Sequence, residues 1–248
     1  MKINKQQLDN VWFTSDTHFG HRSISKFCVR PWVGEWYVDA NKAMYDSPVR
    51  PNDCGTLFDR MRNYVMPSED VVQHNMDLIA NWNRHVKPND IVFHLGDFCF
   101  GNASDASTYL DMLNGKIHFI CGNHDKPAKK VRDRFESFND LLEVNFEDEE
   151  QASHLHPPRR GDIRKVVMCH YPMRRWNGSF HGAWHLYGHV HNTIETHRAS
   201  FDVGVDSVAR ILQDKVDPDV YVPFKCHYRP MSYAEVKEYM FDITARSV

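Results

Sequence analysis

No stretch of this chain approaches the eighteen or more consecutive apolar residues that a helical membrane span needs, so nothing in it reads as a transmembrane helix and no membrane partner is expected. An excess of one charge is also missing. The formal net charge of −3 offers no general attraction for a long polyanion, and a nucleic-acid role would need a local basic patch. The six cysteines show no C-x-x-C spacing, and Cys99, Cys121 and Cys169 lie inside or beside apolar runs, where a thiol behaves as a small buried hydrophobe. Reduced structural thiols are therefore expected in preference to three bridges. Internal repeats and low-complexity linkers are absent too; one domain over 1–248 is enough, and that length can bury a core without staples. The polar amino terminus, MKINKQQLDN, leaves no room for an apolar signal core before Asp16, so a cytoplasmic location is expected.

What is present is one design used five times. The run IVFHLGDFCFG at residues 91–101 ends its apolar stretch at Gly96-Asp97. A buried strand that stops there delivers a carboxylate at its carboxyl end, where open α/β sheets place ligands. KIHFICGNHD stops at Gly122 and presents Asn123, His124 and Asp125; VVMCHYP stops at His170; HLYGHVH stops at His189 and His191; and the first strand, VWFTSDTH, offers Asp16 and His18. A lone Asp or His after a strand is usually a turn residue, but five such segments in one chain point to a shared metal site. Oxygen and imidazole donors without thiolate suit borderline divalent metals such as Mn, Fe, Co, Ni or Zn.

These motifs, Asp16-Thr17-His18, Gly96-Asp97, Gly122-Asn123-His124-Asp125, His170 and Gly188-His189-Val190-His191, stand in the order of the calcineurin-like metallophosphoesterases, which the chain resembles from about Val11 to His191. Phrases such as TSDTHFGH, HLGDF, CHYP, WNGS and WHLYGH look like a compact phage or bacterial branch of that superfamily. The resemblance implies an α/β fold, a four-layer sandwich of two mixed β-sheets flanked by helices, with a dinuclear metal site at the strand carboxyl ends. It assigns Asp16, His18 and His191 to a first ion and Asn123, His170 and His189 to a second, with Asp97 bridging the two. The cofactors expected are two divalent ions, Mn first, with Fe, Zn or Ni as alternatives.

Two ions roughly 3.5 to 4 Å apart can hold a hydroxide between them, lower its pKa towards neutrality and clamp phosphoryl oxygens during in-line attack, so no catalytic Ser or Cys is needed. His124 follows a ligand Asn and should sit at the edge of the site as general acid or transition-state stabiliser. Asp125 either orients His124 or caps a helix start. His21 and Arg22 either meet substrate phosphate at a helix amino terminus or belong to a solvated turn. Arg174, Arg175 and Trp176 either line the pocket, Arg for phosphate and Trp for stacking a planar group, or are surface Arg and core Trp. His181 and His185 are unassigned. The partner expected is a small phosphorylated substrate, with a nucleotide among the candidates. The reaction expected is hydrolysis of a phosphodiester ahead of a monoester. A DNA or RNA nuclease is an alternative that the charge does not favour, and a non-catalytic scaffold is another, which would not need the full ligand set.

Along the chain, residues 10–15 read as a strand and Arg22 to Cys28 as a short helix. The segment 29–66, punctuated by proline and rich in aromatics, reads as an insertion that is either a packed flap or a lid. Ser68 should cap a helix with an apolar stripe at Val72, Met76, Ile79, Trp82 and Val86. Helices are expected over Ser104–Asn114 and Lys126–Phe135, strands over Lys116–Cys121 and near Leu141–Phe146, and β character over Phe201–Val205. An acidic run at Glu147–Glu150 and a basic one at Arg159–Lys165 should flank a solvated hairpin, with a nucleic-acid patch as the minor alternative. Ser232 and Glu235 form a capping box that opens a last helix through Met240.

Overall fold

Short apolar runs that stop at glycine, asparagine or aspartate become strands, and a computed structural model, which describes residues 1–46, 55–148, 163–195 and 199–246, gathers them into two mixed five-stranded sheets flanked by helices. The first sheet contains β2 (Val11–Thr14), β3 (Ile91–His94), β4 (Lys116–Ile120) and β5 (Ser137–Asn139), all parallel, with β10 (Met231–Ser232) antiparallel at the β2 edge. The second runs β1 (Lys2–Ile3), β6 (Leu141–Glu147), β7 (Ile163–Cys169), β8 (Trp184–Tyr187) and β9 (Ser200–Asp202), where β6 and β7 form the antiparallel pair. The connection between β6 and β7, including Glu149, Glu150 and the basic residues Arg159 and Arg160, lies outside the described residues.

Alternation along the strands decides the layers. Phe13, Phe93 and Ile120 of the first sheet pack against Phe146, Met168 and Leu186 of the second in one continuous apolar cluster. Val92 and Phe119 face the other way and meet Leu78, Ile79 and Trp82 of α4 (Ser68–His85) and Ala106 of α5 (Ala103–Met112). In-register parallel pairing, Thr14 opposite His94 and His94 opposite Phe119, brings the carboxyl ends of β2, β3 and β4 level. The loops that leave those ends therefore start from one edge.

Helix α4 differs from its expected face. Val72 and Met76 are exposed, while Val71, His74, Asn75, Leu78, Ile79 and Trp82 are buried. The helix turns polar residues inward because they are needed there: Asn75 accepts from the Gly20 N–H at 3.1 Å, and His74 meets a buried arginine. Ser68 is the first helical residue and not the cap, which is Pro67. The expected helix at 126–135 is two short turns, α6 (Lys126–Lys129) and a 3-10 turn at Arg132–Arg134, although Ala128, Val131 and Phe135 still pack into the same cluster as Phe119. One helix that the sequence did not announce, α7 (Val205–Val216), follows β9 directly.

Segment 29–66 carries α2 (Glu35–Asp46) and α3 (Gly55–Asn63) after the single turn α1 (Ile24–Phe27). Val33, Tyr37, Ala40 and Met61 make a small core of their own, and the Arg60 guanidinium lies 4.1 Å from the Trp36 ring centre. Trp32 belongs instead to the core beneath α4 and donates to Asp77 at 2.7 Å. The side chains of 45–58 lie outside what is described.

The last helix, α8 (Tyr233–Arg246), opens on the expected capping box: Ser232 N–H donates to Glu235 Oε2 at 2.8 Å and Glu235 N–H to Ser232 Oγ at 3.3 Å. Burial pushes the Glu235 carboxyl up, but Arg229 and the Ser232 N–H outweigh it and hold it down at about 2. A carboxyl lowered in the folded state stabilises fully above its ordinary value near 4.5 and loses that contribution as pH falls towards 2. Glu235→Gln should accordingly melt below wild type at pH 7, and the gap should close between pH 4.5 and 2 in paired thermal melts.

Candidate metal centre

Every residue expected to hold metal leaves the carboxyl end of a strand: Asp16 and His18 after β2, Asp97 after β3, Asn123 after β4, His170 after β7, and His189 and His191 after β8. The structure brings them together in two groups. Asp16, His18 and His191 converge within 4.8 Å of one another, and Asp97, His170 and His189 do the same. Asp97 Oδ2 is 3.6 Å from His18 Nε2 and 3.6 Å from His170 Nε2, so one carboxylate oxygen stands evenly between the groups. Asp16 Oδ1 is 3.7 Å from His18 Nε2 and 3.8 Å from His191 Nε2. Hydrogen bonds do not explain such separations, whereas two donors each about 2.0–2.2 Å from a shared ion stand roughly 3 to 4 Å apart.

The backbone is bent to make this convergence. Asp16, His18, Asp97, His189 and His191 all have φ between 47° and 74°, the left-handed region that non-glycine residues seldom occupy. Each such residue costs on the order of 1 kcal/mol or more and persists where the surroundings over-determine it. Gly96, at φ 95°, shows how close the loops come: a Cβ there would lie 2.6 Å from Gly122 N and 2.8 Å from His170 Nδ1.

Hydrogen bonds fix which nitrogen faces the site. His170 Nδ1 donates to Leu95 O at 2.7 Å, leaving the Nε2 lone pair towards Asp97 Oδ2 and towards Asn123 Oδ1 at 3.1 Å. His191 Nδ1 pairs with Asp206 Oδ2 at 2.7 Å, again leaving Nε2 inward. Electron donors thus face one another, an arrangement that a cation relieves. The donor set fits divalent ions in a second respect: among the described residues, Asp16 Oδ1 and both ring nitrogens of His18 are buried without a hydrogen-bond partner. Burial raises the Asp16 carboxyl, but His18, His191 and His170 more than offset this and hold it below the ordinary carboxylate range. Burial alone would lower His191, yet Asp206, Cys28 and Asp16 raise it to about 11, so a cation taken by its Nε2 displaces a proton.

The remaining expected residues are distributed less simply. His124 is exposed at the rim, its ring 5.1 Å from Phe100 and 5.8 Å from His18, and its backbone N–H donates to Asp97 Oδ1 at 2.9 Å. Asp125 stands at the expected cap position of α6, its backbone oxygen accepting from Lys129 N–H at 2.9 Å, while its side chain works elsewhere. Its carboxylate accepts from the backbone N–H groups of Asp97 and Phe98 at 2.8 Å each and of Gly122 at 2.6 Å, and it makes no side-chain cap bond to α6. It ties the β3 loop to the β4 loop, and so holds Asp97 beside Asn123. His21 is half-buried against Phe100 near His18, and Arg22 is exposed. The helix expected from Arg22 is the single turn α1, which opens at Ile24. The N–H groups of Gly20, His21 and Ser23 already donate to Asn75 Oδ1, His18 O and His21 Nδ1.

Arg174 and Arg175 are exposed and line a cavity of about 750 Å³ with Met173, Tyr187, Ile194 and Glu195, next along the chain to His170, His189 and His191. Trp176 does not join them. It is buried against Val167 and Ala183 and donates to Ala183 O at 2.8 Å, which makes it a core residue. His185, unassigned in the sequence, is buried beneath this loop and accepts from Met173 N–H at 3.1 Å. Arg30 and Asp206, which carry the support of His191, escaped the sequence reading. Asp206 had a signal: FDVGVD is a further apolar run ending in a carboxylate. Arg30, within the segment read as an insertion, had none.

Two mixed sheets flanked by helices, with carboxylate and imidazole donors gathered at their strand ends, define a class, the α/β sandwich with a candidate metal centre. A sequence model of the calcineurin-like phosphoesterase family matches residues 10–222, and the chain belongs to that family, whose members hydrolyse phosphoesters with divalent metal. It is 28% identical over 210 residues to an uncharacterized protein of Methanocaldococcus jannaschii, covering 81% of this chain and 84% of that one. It is 24% identical over 225 residues to the gene 66 protein of Mycobacterium phage L5, covering 83% and 90%. In fold it is similar to the crystal structure of a protein of unknown function from Aquifex aeolicus, with a TM-score of 0.51, 18% identity, and coverage of 92% of this chain and 98% of that one. No helix among the described residues is long and apolar enough to cross a membrane.

Proposed function

We propose that this chain hydrolyses a small phosphodiester, a nucleotide being the first class to try, at the centre shared by Asp16, His18 and His191 on one side and Asn123, His170 and His189 on the other, with Asp97 between them. The observation that carries the reading is the Asp97 Oδ2 oxygen, 3.6 Å from a histidine of each group. Two divalent ions, Mn first and Fe, Zn or Ni as alternatives, would supply Lewis acidity to the phosphoryl group and to the attacking water. The chain supplies the rest. Asp125 holds the β3 and β4 loops together, and the His124 N–H steadies Asp97 Oδ1. From the rim, the His124 ring delivers a proton to the departing oxygen. Arg174 and Arg175, a few residues along the chain from His170, give the cavity that they line with Glu195 two cationic groups suited to the far ester arm or a second phosphate. A diester needs such room beyond the reacting phosphorus.

The test is hydrolysis of bis-p-nitrophenyl phosphate against p-nitrophenyl phosphate by metal-stripped protein refilled with Mn, Zn, Fe or Ni. Metal-dependent turnover that favours the diester is expected. A preference for the monoester would overturn the substrate class, and silence with no ion bound would overturn the enzyme.

A further inference from the structure

Arg30 is a buried charge that the proposed reaction does not use. Its side chain is wholly buried, and a buried guanidinium is retained only where its partners are well placed. Nε and Nη2 donate to Asp206 Oδ1 and Oδ2 at 2.7 Å each, the forked geometry that lysine cannot reproduce. Nη2 also donates to Asp16 O at 2.8 Å and Nη1 to Thr17 O at 3.4 Å, while Nη1 lies 2.9 Å from His74 Nε2. Asp206 Oδ2, from the first turn of α7, in turn holds His191 Nδ1. One ion pair thus connects the loop after β2, which bears Asp16 and His18, to the loop after β8, which bears His191. The residue before it, Val29, sits at φ 49°, a conformation costly for a β-branched side chain. The chain is strained at the point where it delivers Arg30.

We propose, resting on the metal-centre reading above, that Arg30 and Asp206 are positioning residues that preassemble one half of the centre, Asp16, His18 and His191, and reach the other half only through Asp16 and Asp97. The other half rests less directly on the pair: His170 is held by Leu95 O and Asp97 by the His124 and Asp125 contacts, while His189, whose N–H donates to Asp16 Oδ2 at 2.9 Å, and the His18 N–H, which donates to Asp97 O at 3.0 Å, cross between the halves. Cys28, His191 and Asp206 also converge within 4.8 Å, but both Asp206 oxygens are engaged by Arg30, and the guanidinium would repel a cation there. The cluster therefore supports His191 and is not a site of its own.

Metal-stripped wild type, Arg30→Met, Arg30→Lys and the near-isosteric Asp206→Asn would be titrated with Mn²⁺ by calorimetry and by electron paramagnetic resonance, with thermal melts in EDTA reporting the ion-free fold. Wild type should take two ions with a coupled spectrum. Arg30→Met and Asp206→Asn should weaken one site by about 10- to 100-fold and the other by less than about threefold, and show an isolated-ion spectrum at one equivalent of Mn²⁺. Arg30→Lys should rescue this only in part. Equal weakening of both sites, or no change in either, would overturn the positioning role while the metal centre stood. Wild type that takes no ion would overturn the centre and the pair's role together. Should Arg30→Met melt early, Asp206→Asn decides.

Discussion

Asp97→Asn should lose both ions on desalting and, with them, turnover by roughly a thousandfold or more, because a two-metal site contributes several kcal/mol of charge stabilisation and about 1.4 kcal/mol is a factor of ten. The substitution preserves shape. Asparagine can still accept the His124 N–H through one oxygen, so the loop anchoring that Asp125 provides is undisturbed. What disappears is the negative Oδ2 that stands between His18 and His170, the atom common to both groups. Elemental analysis after desalting and melts with and without Mn²⁺ check it. An ion present at about 100 times its dissociation constant stabilises wild type by roughly 2.7 kcal/mol, and that increment should vanish in the variant while the EDTA melts remain similar. A variant that retains two ions and more than a tenth of the wild-type rate would remove Asp97 from its bridging place.

The strand-end rule made the candidate metal residues legible because it is local. An apolar run, a small residue and a polar donor lie within a few positions of one another in the chain, as at Leu95-Gly96-Asp97. The same rule, applied to FDVGVD, would have reached Asp206, but those residues were read as continuing strand and α7 was not anticipated. Arg30 could not be read this way. Its meaning lies in partners 176 residues away and in a strained Val29, neither of which leaves a pattern in composition or spacing. Helix α4 was misread because periodicity counts apolar side chains, whereas its buried face was chosen partly by His74 and Asn75, which hold Arg30 and Gly20. Trp176 illustrates the same point in reverse: it adjoins two exposed arginines in sequence, but β7 and Ala183 draw the indole inward.

His124→Ala should leave both ions bound and the melting temperature near wild type, and should lower the rate in a way that depends on the leaving group. The ring is exposed, so removing it opens no cavity in the core, and the backbone N–H that steadies Asp97 Oδ1 belongs to the main chain and survives the change. What is lost is the proton donor at the rim. A general acid of this kind contributes typically about 10²- to 10⁴-fold where the departing oxygen would otherwise leave as a strongly basic alkoxide. A p-nitrophenolate is stable without a proton and should depart almost as fast from the variant. Rates for an alkyl p-nitrophenyl diester and for a dialkyl or nucleoside diester, compared between wild type and variant at matched metal loading, separate the two cases. A loss confined to the alkoxide leaving group assigns His124 as the acid. Equal losses on both would mean that the ring stabilises charge on the phosphoryl group instead, and no loss on either would take His124 out of the mechanism.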